Sequence, residues 1–223
     1  MIPQTLLNRF LLQFPFLYGT KAINYESYIL ENGGIDDLIE KLNQVLSVSG
    51  NIIECGSARC GTSVIIAKFL RSQGIDKKVY SLDLFGGGLN FSELEEERRS
   101  KLTEASDNAF TYNSYKYVVE KIQKLGYSDT IIPIKGLFQD TLSGIDSKFC
   151  LSFIDCDLSK SVEYAAETIF PNMTSNGVML FDDYDSEKYR GVRPTVDAFV
   201  EAHKNQIDDH GLLNRLYFIK KKN

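Results

Sequence analysis

The chain has 223 residues, of which 43% are hydrophobic and 25% are charged, with a formal net charge of −5. This composition is typical of one globular α/β domain with a full core, so we expect residues 1–223 to form a single domain. The negative charge argues against a nucleic-acid partner, and no apolar run approaches the about 18 residues that cross a bilayer, so no membrane partner is expected either.

Residues 1–48 have helical apolar spacing and form a predicted α-helical N-terminal preface, with a break at Gly33-Gly34. The stretch LLNRFLLQFPFLY within it is interrupted by polar residues and lacks a basic leader and a small-residue cleavage site. We therefore expect no signal peptide and a cytoplasmic location. Its apolar side chains would cover the functional site, form a homodimer contact or pack on the chain's own sheet, and of these the homodimer is our prediction.

After the preface, short apolar runs alternate with helical patterns. Five runs are predicted strands: Ile52–Cys55, Val79–Leu82, Ile131–Ile134, Cys150–Ile154 and Val178–Phe181. This alternation predicts an α/β fold with a mostly parallel sheet and helices on both faces. A sixth run, Leu213–Ile219, follows a predicted helix around residues 195–204 and would add an edge strand, with an antiparallel direction as a hypothesis.

The alternation lapses between residues 84 and 117. Gly86-Gly87-Gly88 is followed there by the charged run SELEEERR and then by four aromatic residues. A glycine hinge before a long insertion at the ligand end of a sheet is typical of a lid, which is our interpretation of residues 84–117. A solvated surface helix with an ordinary loop is an equal alternative.

The stretch NIIECGSARCGTS, residues 51–63, joins the first strand to a helix that runs to about Arg71. Gly56 and Gly61 leave room for a ligand close to the backbone, and Thr62 or Ser63 is predicted to N-cap the helix. The Gly-x4-Gly spacing matches neither the dinucleotide fingerprint nor the P-loop. An ordinary strand-to-helix turn therefore remains an equal alternative to a cofactor site.

Acidic residues follow three of the predicted strands, at Asp83, Asp155, Asp157, Asp182 and Asp183. In an open α/β sheet, ligands bind beyond the carboxyl ends of the strands, so these side chains are expected at one edge. The first of them, Asp83, is placed to accept hydrogen bonds from ribose hydroxyls in a nucleoside-binding βαβ unit. Its alternative role is to cap a turn.

Asp155, Asp182 and Asp183 carry the prediction of a divalent-metal site, because gathered carboxylates repel one another unless a cation offsets them. Oxygen ligands favour magnesium, manganese or calcium over zinc. Successive strand residues point to opposite faces, so Asp182 and Asp183 reach one ion only if the strand ends between them and the chain turns. Scattered caps and surface charges are the alternative.

Four segments in order resemble the macrocin-type O-methyltransferases, metal-dependent S-adenosylmethionine enzymes that methylate sugar hydroxyls of macrolide and aminocoumarin antibiotics. The segments are IIECGSARCGTS, SLDLFGG, KGLFQDTL, and FIDCDLSKS with GVMLFDDY. The resemblance implies a class I methyltransferase-like, Rossmann-like fold, S-adenosylmethionine as cofactor, and Mg2+ or another hard divalent cation. It also implies a small-molecule hydroxyl acceptor, namely a sugar of a natural product or glycan.

The resemblance further implies a role for individual residues. The metal ligands would be Asp155, Asp182 and Asp183, and Asp157 would be the candidate general base. The adenine would lie near Gly136 and Phe138. The cofactor-binding set as a whole would be Glu54, Gly56, Ser57, Gly61, Thr62, Ser63, Asp83, Gly136, Phe138 and Asp155.

The chain departs from the family pattern at a few positions, which bears on sugar specificity and on the role of Asp157. The family usually has Gly, Tyr and an acid where this chain has Cys156, Ser159 and Lys160, and a glycine at Cys60. Two other functions remain open. A nicotinamide-dependent oxidoreductase would share the α/β architecture, and a non-catalytic cofactor-binding scaffold would share the whole fold.

Overall fold

The protein is described by a computed structural model that covers residues 26, 27, 29 and 33–223. Its strands are β1 Asn51–Cys55, β2 Val79–Asp83, β3 Ile131–Lys135, β4 Phe149–Ile154, β5 Met173–Phe181, β6 Ile207–Leu212 and β7 Tyr217–Lys221. Its α-helices are α1 Gly34–Gln44, α2 Gly61–Ser72, α3 Phe91–Arg99, α4 Tyr115–Lys124, α5 Phe138–Thr141, α6 Ser159–Ile169 and α7 Val192–His203. The five predicted strands are confirmed, four of them to within one residue at each end, whereas β5 begins five residues before the predicted Val178.

The strands form one sheet in the order β3-β2-β1-β4-β5-β7-β6. The first five are parallel, whereas β7 pairs antiparallel with both β5 and β6. The predicted antiparallel direction of the last strand is therefore confirmed, but the predicted extent of Leu213–Ile219 is wrong. That run includes the 213–216 connection between two strands. The sequence does not predict the first of these strands, β6, because IDDHGL carries the charged residues of an exposed edge strand.

The sheet is covered on both faces, as predicted. Alternate residues of β1 show this, because Ile52 packs into one apolar cluster and its neighbour Ile53 packs into the other. The first cluster contains residues of α1, α2 and α4, and the second contains residues of α3, α6 and α7. The central strand β4 is buried at every position, as expected for a parallel strand between two helical layers.

The second half of the predicted preface is α1, whose Leu38 and Leu42 are fully buried. The first half, with the predicted homodimer contact, lies outside the described residues. Within the described ranges, no helix is long and apolar enough to cross a membrane.

Segment 84–117 contains α3, which packs against the start of α6. Two buried carboxylates of α3 reach that helix, since Glu93 accepts hydrogen bonds from both the backbone N–H and the hydroxyl of Ser161, each at 2.7 Å. Glu97 accepts one from the backbone N–H of Ser159. Acidic side chains of α3 thus satisfy the free amides at the N-terminus of α6.

Candidate functional site

The strand order reverses at β1, which lies between β2 and β4, and ligands of open α/β sheets bind at such a switch point. A cavity of about 470 Å³ opens beyond the carboxyl ends of these strands. Its wall contains eight of the thirteen residues that the sequence singled out for binding and catalysis, namely Gly56, Asp83, Gly136, Phe138, Asp155, Asp157, Asp182 and Asp183. The predicted convergence of strand-end acids on one edge is confirmed.

The turn after β1 brings the backbone of two strands into close approach. Gly56 has a φ of 91°, and a Cβ at this position would lie 1.8 Å from the backbone carbonyl oxygen of Asp155. The same turn is tied to β2, because the N–H groups of Gly56 and Ser57 both donate to the carbonyl of Leu82. Glycine is therefore required where the turn holds the end of β4 in place.

The start of α2 differs from the prediction. The helix begins at Gly61 after Cys60, which is left-handed with a φ of 56°, and no side chain caps it. The predicted N-cap at Thr62 or Ser63 is therefore wrong, because the left-handed residue closes the turn earlier than the sequence indicated. The hydroxyl of Thr62 lies 2.8 Å from that of Ser27 instead. A Cβ on Gly61 would meet the carbonyl of Glu26 at 2.2 Å, so residues 26 and 27 cover this helix start.

A buried polar group lies beneath the turn. The Ser63 hydroxyl donates to the carboxylate of Glu54 and lies 2.6 Å from the hydroxyl of Ser81. Burial raises the pKa of Glu54 to about 7. The remaining predicted cofactor residues, Glu54, Ser57, Gly61, Thr62 and Ser63, are buried or half-buried behind the cavity wall rather than part of it.

Asp83 lies on the wall at the end of β2. Its two carboxylate oxygens accept hydrogen bonds from the backbone N–H groups of Ala58, at 2.9 Å, and Phe85, at 2.6 Å. Burial raises its pKa to about 6. Each oxygen keeps a second lone pair, so Asp83 holds two loops together and still offers acceptors to a ligand.

The compact acidic cluster consists of Asp155, Asp157 and Asp183, each of which offers an oxygen within 4.8 Å of the others. Burial and mutual repulsion raise the pKa of all three, that of Asp183 to about 6. Asp157 and Asp183 are both left-handed, with φ values of 63° and 57°, and this turns their side chains towards Asp155. The hydroxyl of Tyr189 hydrogen-bonds to Asp157.

Asp182 is engaged elsewhere. The Arg215 guanidinium donates to both of its oxygens, through Nε at 2.7 Å and Nη2 at 2.6 Å. The strand ends before Asp182, one residue earlier than the predicted end between Asp182 and Asp183, and the cluster that forms contains Asp157 in place of Asp182. The predicted trio and the observed cluster therefore differ in one member.

Sequence reasoning missed several residues of this site. Arg215 comes from the loop between β6 and β7, where no motif marks it, and Tyr189 lies in an irregular stretch before α7. Residues of segment 84–117 also contribute much of the cavity wall, and the glycine-rich start was the signal that could have indicated this. They are Leu84, Gly88, Leu89, Asn90, Ser106, Asn108, Ala109, Phe110 and Tyr112.

The model of one protein family, described as macrocin O-methyltransferase (TylF), matches residues 32–213, a range that includes all of these acids. The chain belongs to the macrocin O-methyltransferase family. This confirms the resemblance on which the site assignments were based.

Three known proteins that are similar to this member of the macrocin O-methyltransferase family are also named as methyltransferases. The 8-demethyl-8-(2,3-dimethoxy-α-L-rhamnosyl)-tetracenomycin-C 4′-O-methyltransferase of Streptomyces olivaceus is 26% identical over 159 residues, a match that spans 67% of this chain and 59% of that protein. The solved structure of the O-methyltransferase NovP is 15% identical, with a TM-score of 0.72 over 99% of this chain and 100% of the other. The calicheamicin methyltransferase CalS11 is 18% identical, with a TM-score of 0.66 over 97% and 91%. The class I fold is thereby confirmed.

Three of the four positions at which this family member departs from the family pattern lie at or just before the start of α6, namely Cys156, Ser159 and Lys160, whereas Cys60 precedes α2. Cys156 is buried on the cavity wall between two acids, and the Lys160 ammonium pairs with Glu96 of α3. The departures thus place a thiol beside the acids and tie α6 to segment 84–117.

Proposed function

We propose that the chain is an S-adenosylmethionine-dependent, divalent-metal-assisted O-methyltransferase that acts on a hydroxyl of a small molecule, a sugar of a natural product or glycan. One observation carries this proposal. The carboxylates of Asp155, Asp157 and Asp183 gather within 4.8 Å on the wall of a cavity at the switch point of the sheet. Family membership and the sugar-methylating activity in the name of the Streptomyces relative support it.

The cavity fits the cofactor in size and chemistry. Its volume of about 470 Å³ is within the range of about 300–1,000 Å³ that is usual for ligand pockets. We assign Asp83 to the ribose hydroxyls and Gly136 and Phe138 to the adenine. Gly56 and Asp155 would face the methionine part, and the buried set of Glu54, Ser57, Gly61, Thr62 and Ser63 would support the helix start behind it.

The acidic cluster fits a hard divalent cation, since its donors are all carboxylate oxygens and their raised pKa values reflect a repulsion that a cation would offset. We assign Asp155, Asp157 and Asp183 as its ligands, with Asp182 adjacent and oriented by Arg215. When bound, the cofactor supplies an electrophilic methyl group and the cation lowers the pKa of the acceptor hydroxyl.

We assign Asp157 as the general base that accepts the proton of the acceptor hydroxyl. It lies on the cavity wall within the acidic cluster, so an acceptor hydroxyl that faces the cluster lies beside its carboxylate. Tyr189 donates a hydrogen bond to it and so fixes its orientation. A carboxylate has two oxygens, so one can face the cation while the other accepts the proton.

We also propose that segment 84–117 closes over the acceptor as a lid. Nine residues of the cavity wall come from it, and its helix α3 is anchored to α6 through Glu93 and Glu97. Closure would exclude water while the methyl group is transferred. Limited proteolysis tests this, because saturating S-adenosylhomocysteine should slow cleavage within 100–114 and leave cleavage elsewhere unchanged.

The function is tested by calorimetric titration with S-adenosylhomocysteine, with and without Mg2+, together with methylation of methyl α-L-rhamnopyranoside. Asp183→Asn should leave cofactor binding within about twofold and lower turnover at least about 100-fold, because it removes a cation ligand. Asp129→Asn, an exposed acid before β3, is the matched control and should change neither. Binding of NAD in place of S-adenosylhomocysteine would indicate an oxidoreductase, and cofactor binding without turnover on any glycoside would indicate a scaffold.

A further inference from the structure

A second cavity, of about 350 Å³, adjoins the acidic cluster. Six residues line it, and they are Asp182, Asp183, Asp185, Ser186, Asn214 and Arg215. Three of these, Asp182, Asp183 and Arg215, also line the larger cavity. We call this second cavity the polar chamber. Its wall contains no aliphatic or aromatic residue, whereas the larger cavity has both.

The wall of the polar chamber is held in place from behind. Asp37 of α1 is buried, and it accepts hydrogen bonds from the side-chain amide of Asn214 and from the backbone N–H of Arg215, both at 2.7 Å. Since the amide nitrogen of Asn214 is used in this way, its oxygen remains as an acceptor. The loop 213–216 therefore presents fixed polar groups rather than a mobile surface.

Arg215 contributes a donor at the wall that the two cavities share. Its Nε and Nη2 bind Asp182, and Nη1 has no hydrogen-bond partner within the described part of the chain. Around it are acceptors from Asp183, Asp185, Ser186 and Asn214. Closely spaced donors and acceptors without an aliphatic or aromatic side chain match a ring that carries several hydroxyl groups.

The charges of the chamber distinguish between classes of ligand. Asp182 is paired with Arg215, and Asp185 is paired with Arg193. Both guanidinium groups therefore already face a carboxylate, while Asp183 has the acids of the cluster and a hydrogen bond with Ser186 beside it, and Arg215 at longer range. The exposed cation Lys188 lines only the larger cavity. An anionic group in the chamber would find no uncompensated positive charge.

We infer that the polar chamber is the acceptor subsite, and that it takes a neutral or amine-bearing polyhydroxylated ring rather than a sugar linked to a phosphate. The ring lies against Ser186 and Asn214, and one hydroxyl reaches past Arg215 to the acidic cluster. This inference rests on the proposed function, because it places the acceptor of that reaction.

The test uses one sugar in two charge states, methyl α-L-rhamnopyranoside and dTDP-L-rhamnose, bound to the protein with saturating S-adenosylhomocysteine and observed by saturation-transfer NMR. The neutral glycoside should bind wild type at least about tenfold more tightly than the sugar nucleotide. Ser186→Phe, which fills the chamber, should weaken glycoside binding at least about tenfold. Ser128→Phe, at an exposed turn before β3, is the matched control and should bind like wild type.

A second variant tests the charge argument through a gain of binding rather than a loss of binding. Asp185→Arg leaves two guanidinium groups uncompensated at an exposed position, so dTDP-L-rhamnose binding should improve at least about fivefold. The inference is overturned if Ser186→Phe binds the glycoside as wild type does, if Asp185→Arg leaves the preference unchanged, or if wild type binds no glycoside. Failure to bind S-adenosylhomocysteine, or the absence of turnover on any glycoside, would count against the proposed function as well. Intact cofactor binding and glycoside turnover together with either variant result would count against the subsite alone.

Discussion

The carboxylate of Asp37, in helix α1, accepts a hydrogen bond from the backbone N–H of Arg215 at 2.7 Å. The same carboxylate accepts hydrogen bonds from the backbone N–H of Asn214, from its side-chain amide and from the backbone N–H of Leu216. Arg215 in turn binds Asp182 through two nitrogens. A helix near the start of the chain is thus connected through one loop to the acids at the functional site.

Asp37→Asn should destabilise the protein by about 2 kcal/mol, because a neutral amide accepts more weakly and cannot replace all four hydrogen bonds of a buried carboxylate. Urea denaturation measures this change. The neighbouring Asp36 is exposed on the same helix, so Asp36→Asn should stay within about 0.5 kcal/mol of wild type. Equal unfolding midpoints for the two variants would contradict the connection.

Glu93→Gln should also destabilise the fold, by about 1–2 kcal/mol, since a buried side chain that accepts two hydrogen bonds from Ser161 would keep one acceptor and gain an unneeded donor. Glu96→Gln is the matched control on the same helix. Its carboxylate pairs with Lys160 at the surface, so its unfolding midpoint should equal that of wild type. A larger effect at Glu96 would show that the exposed contact, rather than the buried one, joins α3 to α6.

Much of the fold could be predicted because its strands are apolar runs that each lie between two layers. Every position of β4 is buried, so its sequence FCLSFI is a short apolar run that is not mistaken for a polar loop. β6 escaped prediction for the opposite reason. At the sheet edge only its first residue, Ile207, is buried, and the rest reads as a polar loop.

For the candidate site, the sequence predicts which acids follow the strands. It does not predict the directions in which their side chains point. Sequence shows that Asp182 follows a strand, whereas the left-handed backbone of Asp157 and Asp183 decides which carboxylates meet. The pairing of Asp182 depends on Arg215, which joins it only through the tertiary fold. A residue whose role comes from a distant contact carries no local signal.

The buried Glu54 should make stability depend on pH. Its pKa in the folded state is about 7, against an ordinary value of 4.5, so the folded protein keeps a proton that the unfolded chain releases. This stabilisation is complete below pH 4.5 and is lost as the pH rises to about 7. Glu54→Gln cannot titrate, so its free energy of unfolding relative to wild type should rise by about 3 kcal/mol across this window.

Urea denaturation at several pH values between 4.5 and 8 measures the difference between wild type and Glu54→Gln. Glu163→Gln, at an exposed position of α6, is the control and should give a difference that does not vary with pH. A constant difference for Glu54→Gln as well would mean that the carboxylate is charged throughout, and the burial argument would be wrong.

The close approach of the first turn to β4 predicts a large effect of a single methyl group. In Gly56→Ala the new Cβ would collide with the backbone carbonyl of Asp155 and also adopt a φ of 91°, so the strand end must move. We expect a loss of at least about 3 kcal/mol in stability. Because the displaced residue, Asp155, is assigned to the methionine part of the cofactor, S-adenosylhomocysteine binding should weaken at least about tenfold.

Gly74→Ala separates this collision from backbone strain alone. Gly74 is left-handed too, with a φ of 67°, but a Cβ there would meet nothing within 4 Å. The substitution should therefore cost only about 1 kcal/mol, the price of a left-handed alanine, and leave cofactor binding unchanged. If the two alanine variants unfold at the same urea concentration, the approach of Gly56 to Asp155 does not constrain the site, since strain would then account for both.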